Sequence, residues 1–267
     1  MLFKERYGNT ALIAGASEGL GAAYAHALAA RGLDLVLLAR RKGLLEETAE
    51  QISKQYGVKV LPVVCDLAAA DALEKVRSEV GDVNISFLVY NAAMSYIGPF
   101  LSTGISTHTD IASVNMLTQL KMLHYFGGKM VMQRKGGIVI MTSIAGLQGS
   151  GFLSTYAATK AFNRVLAEGL WFEWRSKGVD VIACCAGAVA TPNYINTKPG
   201  KASRLEPVPQ LPEMVVEECL RKIGRTPFFI SGTGNKLVTI LMQYIFSKKK
   251  ALRMMGESMK KMYKIAD

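Results

Sequence analysis

Residues Thr10 to Ala30, TALIAGASEGLGAAYAHALAA, decide how the chain is read. A short apolar run, Thr10 to Ala14, passes without a break into Gly15-Ala-Ser-Glu-Gly19-Leu-Gly21, and alanine then dominates to Ala30. Apolar strand, glycine turn and strong helix former together make a strand–turn–helix unit. Glycine lets backbone come close to a ligand, and a helix N-terminus offers free N–H groups and positive potential to a phosphate. Gly15, Ser17, Glu18, Gly19, Leu20 and Gly21 are therefore a candidate diphosphate cradle, although their spacing, G-x-x-x-G-x-G, differs from the common G-x-G-x-x-G fingerprint. The same letters contain Gly15-x-Ser17-x-Gly19, the pattern of an α/β-hydrolase nucleophile elbow. That rival is the weaker one. An elbow on the first strand has no upstream segment to supply the second oxyanion amide. Of the histidines, His26 falls inside the next helix, and His108 and His124 fall in or near a later one.

Working outward, strand and helix patterns keep alternating. Strands are expected at Asp34–Leu38, Lys59–Val64, Ile85–Tyr90, Ile138–Met141, from Val179, and at Phe228–Ile230. Helices are expected at Leu44–Tyr56, from near Ala69, at Thr109–Arg134, from near Thr155, at Glu213–Ile223, and from Asn235 into a basic tail. This order predicts one α/β domain over 1–267: a doubly wound Rossmann fold with a seven-stranded, mostly parallel sheet, helices on both faces and a helical C-terminal tail around 235–265. With 50% apolar residues in 267, the chain can build a full core. Leu237 to Phe246, the longest late apolar run, falls short of the roughly 20 residues that span a bilayer. No signal-peptide pattern precedes the first strand, so a soluble, cytoplasmic protein is expected. Cys65, Cys184, Cys185 and Cys219 show no metal-ligand spacing and are expected as buried free thiols, with no metal bound. The net charge is +11, with Lys248, Lys249, Lys250, Arg253, Lys260, Lys261 and Lys264 concentrated late. Charge of this kind attracts anions in general and does not choose among cofactors, acyl carriers, membranes and nucleic acid.

An open parallel sheet binds its ligand at the strand ends, so those positions hold the candidates. Arg40 and Arg41 end the second strand, where an arginine would pair with a 2′-phosphate and a carboxylate would accept from a ribose hydroxyl. The basic pair favours NADP over NAD. Asp66, followed by Leu67, ends the third strand and either accepts from an adenine amino group or caps a helix. Asn91 and Ala92 end the fourth, where small residues suit a backbone passing close to a cofactor. Asn115 stands inside a long helix, a poor position for asparagine unless its amide bonds to neighbouring backbone. Ser143 ends the fifth strand, and Tyr156 and Lys160 lie four apart on the following helix, hence on one face. A nearby cation favours phenolate and should draw the tyrosine pKa down toward the working range. A tyrosine with lysine at +4 also occurs at Tyr125/Lys129, Tyr194/Lys198 and Tyr244/Lys248, and Ser231 precedes Tyr244 as Ser143 precedes Tyr156. Location decides among them. Only Ser143 and Tyr156 fall beside the cradle, on the strand next to the fourth.

With these residues in order, the chain resembles the short-chain dehydrogenase/reductase family along nearly its whole length. The matching positions are Gly15, Gly19, Gly21, Asp66, Asn91, Asn115, Ser143, Tyr156 and Lys160. Ala14, Tyr90, Ala93 and Ala186 depart from the family's usual residues at their positions, and none of these changes removes a proposed catalytic group. The resemblance implies an NADP(H)-dependent reductase in which Tyr156 is the general acid, Lys160 lowers its pKa and holds the nicotinamide ribose, and Ser143 orients the substrate oxygen. By the same resemblance Asn115 supports a water-linked proton path near Lys160, while Val189 and Thr191 meet the carboxamide and the diphosphate. A segment around 190–225 would cover the substrate. The layout is similar to the branch of 3-oxoacyl-CoA and 17β-hydroxysteroid reductases, which implies a lipophilic or 3-oxoacyl-type carbonyl substrate. A homodimer or homotetramer is expected, with no nucleic-acid partner. The basic, Met-rich tail could dock weakly on a surface, or more plainly pack its apolar side on the body or a second subunit. The non-catalytic alternative is a nucleotide-sensing or surface-binding protein on the same fold. The complete Ser, Tyr, Lys and Asn set argues against it.

Overall fold

The computed structural model describes residues 2–197 and 208–265. Strands β1 (Thr10–Ala14), β2 (Asp34–Ala39), β3 (Val60–Val64), β4 (Phe87–Tyr90), β5 (Gly136–Ser143), β6 (Val179–Ala186) and β7 (Phe228–Ile230) form one seven-stranded sheet in the order β3-β2-β1-β4-β5-β6-β7. Every neighbouring pair is parallel. Strand order reverses between β1 and β4, so a crevice opens there at the carboxyl ends of the strands.

Alternate side chains of a strand serve opposite faces of the sheet, and both faces here are covered. Ala11 and Ile13 of β1, with Val139 and Met141 of β5, pack under the helices α2 (Gly19–Ala29), α3 (Lys42–Tyr56) and α10 (Pro212–Lys222). Leu12, Ala14, Ile138 and Ile140 face α4 (Ala72–Val80), the long helical stretch from 105 to 133, and α8 (Ser154–Arg175). All four cysteines are buried free thiols. Cys184 and Cys185 are neighbours on β6, yet only Cys184 joins the first of these two cores.

Several elements differ from the expected ones. A short helix α1 (Phe3–Tyr7) precedes β1, and Arg6 and Tyr7 tie it to Asp180 of β6 at 2.7 and 3.0 Å. The long helix begins at Ile105 rather than Thr109, because Ser106 and Thr107 are drawn into the first turn after an extended Gly104. It runs as α5 (Ile105–Ala112), α6 (Thr118–Met122) and α7 (Gly128–Gln133) joined by π-helical turns at Ser113–Leu117 and Leu123–Gly127. The C-terminal region is two helices, not one. After α9 (Pro192–Thr197), α10 and β7 come α11 (Thr233–Ile240) and a π-helical turn Leu241–Ile245. The chain then breaks at an extended Phe246. Ser247 caps the last helix, α12 (Lys248–Tyr263), by accepting from the Lys250 amide. Its Ala251 and Met259 are buried, and it rests on the glycines of the 149–151 loop, so the plainer expectation for the tail, packing on the body, describes α12. The covering segment is described only in part, because 198–207 lies outside the described residues.

Ile138 is fully buried in β5, an inner strand between β4 and β6. Ile138→Ala should therefore lower unfolding free energy by about 2–5 kcal/mol, read from urea midpoints, whereas an unchanged midpoint would mean that this strand is not central to the core.

Candidate active site

Gly15 and Gly19 adopt φ of 78° and 58°, a region costly for residues with a Cβ. A Cβ at Gly15 would lie 2.8 Å from the Ala92 Cα, and one at Gly19 would lie 2.9 Å from the Thr191 methyl. A side chain at Gly21 would overlap the Gly15 carbonyl oxygen, which also accepts from the Asn91 amide at 3.0 Å. The glycine turn is thus pressed onto the ends of β1 and β4. No side chain caps the N-terminus of α2.

This turn floors a cleft of about 830 Å³ at the carboxyl ends of the strands, within the usual size of small-molecule and cofactor sites. Gly15, Ser17, Glu18, Gly19 and Leu20 line it. So do Arg40, Arg41, Asp66, Leu67, Asn91 and Ala92, and on the far wall Ser143, Tyr156, Lys160, Val189 and Thr191. Of the predicted residues, Gly21 and Asn115 do not line it. Gly21 sits beneath the cradle, where its lack of a side chain lets helix and strand meet. Asn115 is fully buried in the π-helical turn; its amide donates to the Met94 carbonyl and to Thr159 at 2.9 Å each and accepts from the Met94 N–H at 2.8 Å. This is the bonding to neighbouring backbone that an asparagine within a helix requires. Among the described residues, no hydrogen bond links its side chain to Lys160.

Arg41 forms a 2.7 Å ion pair with Glu18 and lies 3.5 Å from the Ser17 hydroxyl, so β2 and the glycine turn share one polar edge. Arg40 is exposed beside it. Asp66 accepts from the Ala68 amide at 3.0 Å, forming a turn, and it is Asp71 that precedes α4. The hydrolase rival fails on geometry. His26 contacts Tyr56, His108 contacts Phe100 and Thr155, and neither these nor His124 line the cleft that holds Ser17.

On the far wall, Lys160 is 3% exposed and donates to the Met141 carbonyl at 2.9 Å, while the Thr142 hydroxyl donates to the Lys160 carbonyl at 2.6 Å. Strand β5 thereby grips α8 at the residue that presents the amine. Ser143 accepts from the Ala145 N–H at 3.2 Å, and its hydroxyl is near enough to the Tyr156 phenol to favour the ionised form. The Lys160 Nζ lies 5.6 Å from the Tyr156 ring centre.

One expectation is reversed. Burial pushes the Tyr156 phenol up to about 12, with the Ser143 hydroxyl pulling the other way, and burial brings the Lys160 ammonium down to about 8. Desolvation decides the direction, while the Lys160 amine is itself desolvated and directed to the Met141 carbonyl. Tyr156 is therefore protonated at neutral pH.

Sequence reasoning missed Met94, Ser95 and Tyr194, which also line the cleft. Tyr194 was set aside with Lys198, which lies outside the described residues. Its place soon after Thr191, at the exit of β6, was the signal that it lines the cleft. The other look-alike pairs are elsewhere: Tyr125 sits against Lys129 and Arg77, Ser231 donates to Glu218 at 3.0 Å, and Tyr244 is 78% exposed.

The short chain dehydrogenase family model matches residues 9–202. A 7beta-hydroxysteroid dehydrogenase from Clostridium sardiniense is 30% identical over 236 residues, covering 88% of this chain and 90% of its own. The very-long-chain 3-oxoacyl-CoA reductase of Bos taurus is 32% identical over 221 residues, covering 81% and 69%. A solved structure described in work on 7beta-hydroxysteroid dehydrogenase stereoselectivity superposes with a TM-score of 0.91 at 29% identity, over 96% of this chain and 99% of that one.

The lysine makes the site's electrostatics testable without substrate. Because its folded pKa of about 8 lies below the ordinary 10.5, the unfolded chain holds the extra proton between those values. Stability contributed by this group therefore rises as pH rises through that window and is lost as pH falls through about 8. The melting temperature of wild type relative to Lys160→Met, measured by circular dichroism, should climb across that interval. A flat difference would mean the amine is not desolvated.

Proposed function

The chain belongs to the short-chain dehydrogenase/reductase family and is an oxidoreductase of a family that uses NAD(P), and from this we propose that it reduces lipophilic ketones with NADPH, Tyr156 acting as general acid. The observation that carries the reading is convergence. Tyr156, Ser143 and Lys160 meet at the end of β5, in the same cleft as the glycine cradle.

The cleft fits a dinucleotide on its own features. Glycines whose missing side chains leave room only for backbone form its floor, and an uncapped helix N-terminus and an arginine pair stand at one end. Gly15, Ser17, Glu18, Gly19 and Leu20 would hold the diphosphate with Thr191. Asp66, Leu67, Asn91 and Ala92 would line the adenosine side, Val189 would meet the carboxamide, and Lys160 would hold the nicotinamide ribose. Arg40 and Arg41 would take a 2′-phosphate. When bound, the nicotinamide supplies the hydride for the carbonyl carbon.

The chain's own residues manage the proton. Ser143 hydrogen-bonds the substrate oxygen, and Tyr156 transfers its phenolic proton to that oxygen as negative charge develops on it. The phenolate left behind lies within reach of the Lys160 amine's field, and a solvent proton restores the phenol. The phenol is protonated at neutral pH, as a general acid must be, but burial makes it a weaker acid, so transfer depends on positive charge near it in the working complex. Met94, Ser95 and Tyr194 line the same cleft and would meet the substrate. A homodimer or homotetramer belongs to the same reading, supported by exposed Leu120, Val165 and Phe172 on the outer helices. No helix of the described residues is long and apolar enough to cross a membrane.

Two substitutions test the assignment, with NADPH absorbance followed against a series of hydroxysteroid ketones and 3-oxoacyl thioesters. Tyr156→Phe should abolish turnover and leave cofactor affinity within about threefold, as expected for an interaction made only in the transition state; full activity in this variant would remove the tyrosine from the mechanism. Arg40→Ala should weaken NADPH binding at least about tenfold with little change for NADH, the loss of one charge-assisted contact. Equal weakening of both cofactors would refute the phosphate contact.

A further inference from the structure

Helix α11 and the π-helical turn after it are amphipathic the wrong way round. Asn235 and Thr239 are 6% and 8% exposed, whereas Leu237, Tyr244 and Ile245 are 60%, 78% and 65% exposed. Leu237, Ile240, Leu241, Tyr244 and Ile245 recur at i, i+3, i+4, i+7 and i+8, so the apolar residues form one outward stripe. Polar bonds to the body, from buried Asn235 and from the exposed Gln243, fix this orientation. Asn235 donates to Gln210 at 3.1 Å and to the Ser231 carbonyl at 2.8 Å, and Gln243 donates to the Leu147 carbonyl at 3.0 Å. Turning the stripe inward would break these bonds and leave their buried partners unsatisfied.

Charge selects what covers the stripe. From Thr233 to Arg253 the chain carries five basic residues, Lys236, Lys248, Lys249, Lys250 and Arg253, and no carboxylate. Only Lys236 of these is in an ion pair among the described residues, with Glu218 at 3.4 Å. Pairing the stripe with that of a second copy would set cation against cation. An anionic surface would neutralise the run while its acyl boundary took up the leucine, isoleucine and tyrosine side chains, the arrangement of helices that lie in a membrane interface.

We propose that the face formed by Leu237, Ile240, Leu241, Tyr244 and Ile245, with the lysine run that follows, docks the protein peripherally on anionic lipid bilayers. The docking element lies mainly before the Met-rich helix α12, whose buried side is already occupied by the body of the protein. It does not involve the catalytic cleft.

Co-sedimentation of the full chain with phosphatidylcholine vesicles, with and without phosphatidylglycerol, tests this. Binding is expected only to the mixed vesicles and should fall at high salt. Leu241→Ser with Ile245→Ser, and separately Lys248→Ser with Lys249→Ser and Lys250→Ser, should each cut the bound fraction about tenfold, since apolar burial and charge act together. Circular dichroism establishes that both variants are folded. Absence of binding by the folded wild type, or undiminished binding by either variant, would overturn the proposal. So would dissociation of an oligomer by the serine substitutions in light scattering, which would make the stripe a subunit contact.

Discussion

The hydrogen bond from the Lys160 amine to the Met141 carbonyl is the contact on which the far wall of the cleft depends. A fully formed ammonium is expensive to bury, and a single carbonyl only partly replaces its water. The site accommodates this by letting the amine titrate near neutrality and by gripping the same residue through Thr142. The result is a stiff junction between β5 and α8. Tyr156, one turn earlier on α8, is thereby aimed into the cleft, and Ser143 at the strand end is set against its hydroxyl.

A second constraint acts at the other wall. The glycine turn between β1 and α2 is so closely packed on Ala92, Asn91 and Thr191 that no side chain fits, and the polar ends of the strands are left facing open space. Because strand order reverses between β1 and β4, the two walls face each other across the same crevice. Fold and site are in this sense one arrangement, since the sheet order brings residues 15 and 160 to a common cleft.

Most of that arrangement was legible in the sequence. Alternation of apolar strands with longer helical patterns marks a doubly wound sheet, and the glycine turn marks its first crossover. Strand-end positions then located Arg40, Asp66, Asn91 and Ser143. What escaped has physical causes. Helix α1 is five residues long, too short for periodicity, and is held by Asp180 far along the chain. The break at Phe246 lies between two stretches that are each good helix formers, and only the Ser247 cap marks it. For Asn115 the sequence shows that an asparagine inside a helix needs a partner for its amide, but not that Met94 and Thr159, distant along the chain, supply it. The direction of the Tyr156 shift escaped because one turn of spacing reveals a neighbouring cation but not how much water both groups lose.

The account rests on the claim that the cradle and the Tyr156–Lys160 wall hold two ends of one dinucleotide. A crystal structure of the full chain with NADPH measures this directly. It should place the nicotinamide ring against Tyr156, its ribose on Lys160, and the 2′-phosphate beside Arg40 and Arg41. An occupied cofactor whose nicotinamide lies away from the Tyr156 hydroxyl, or one bound outside this cleft, would contradict it.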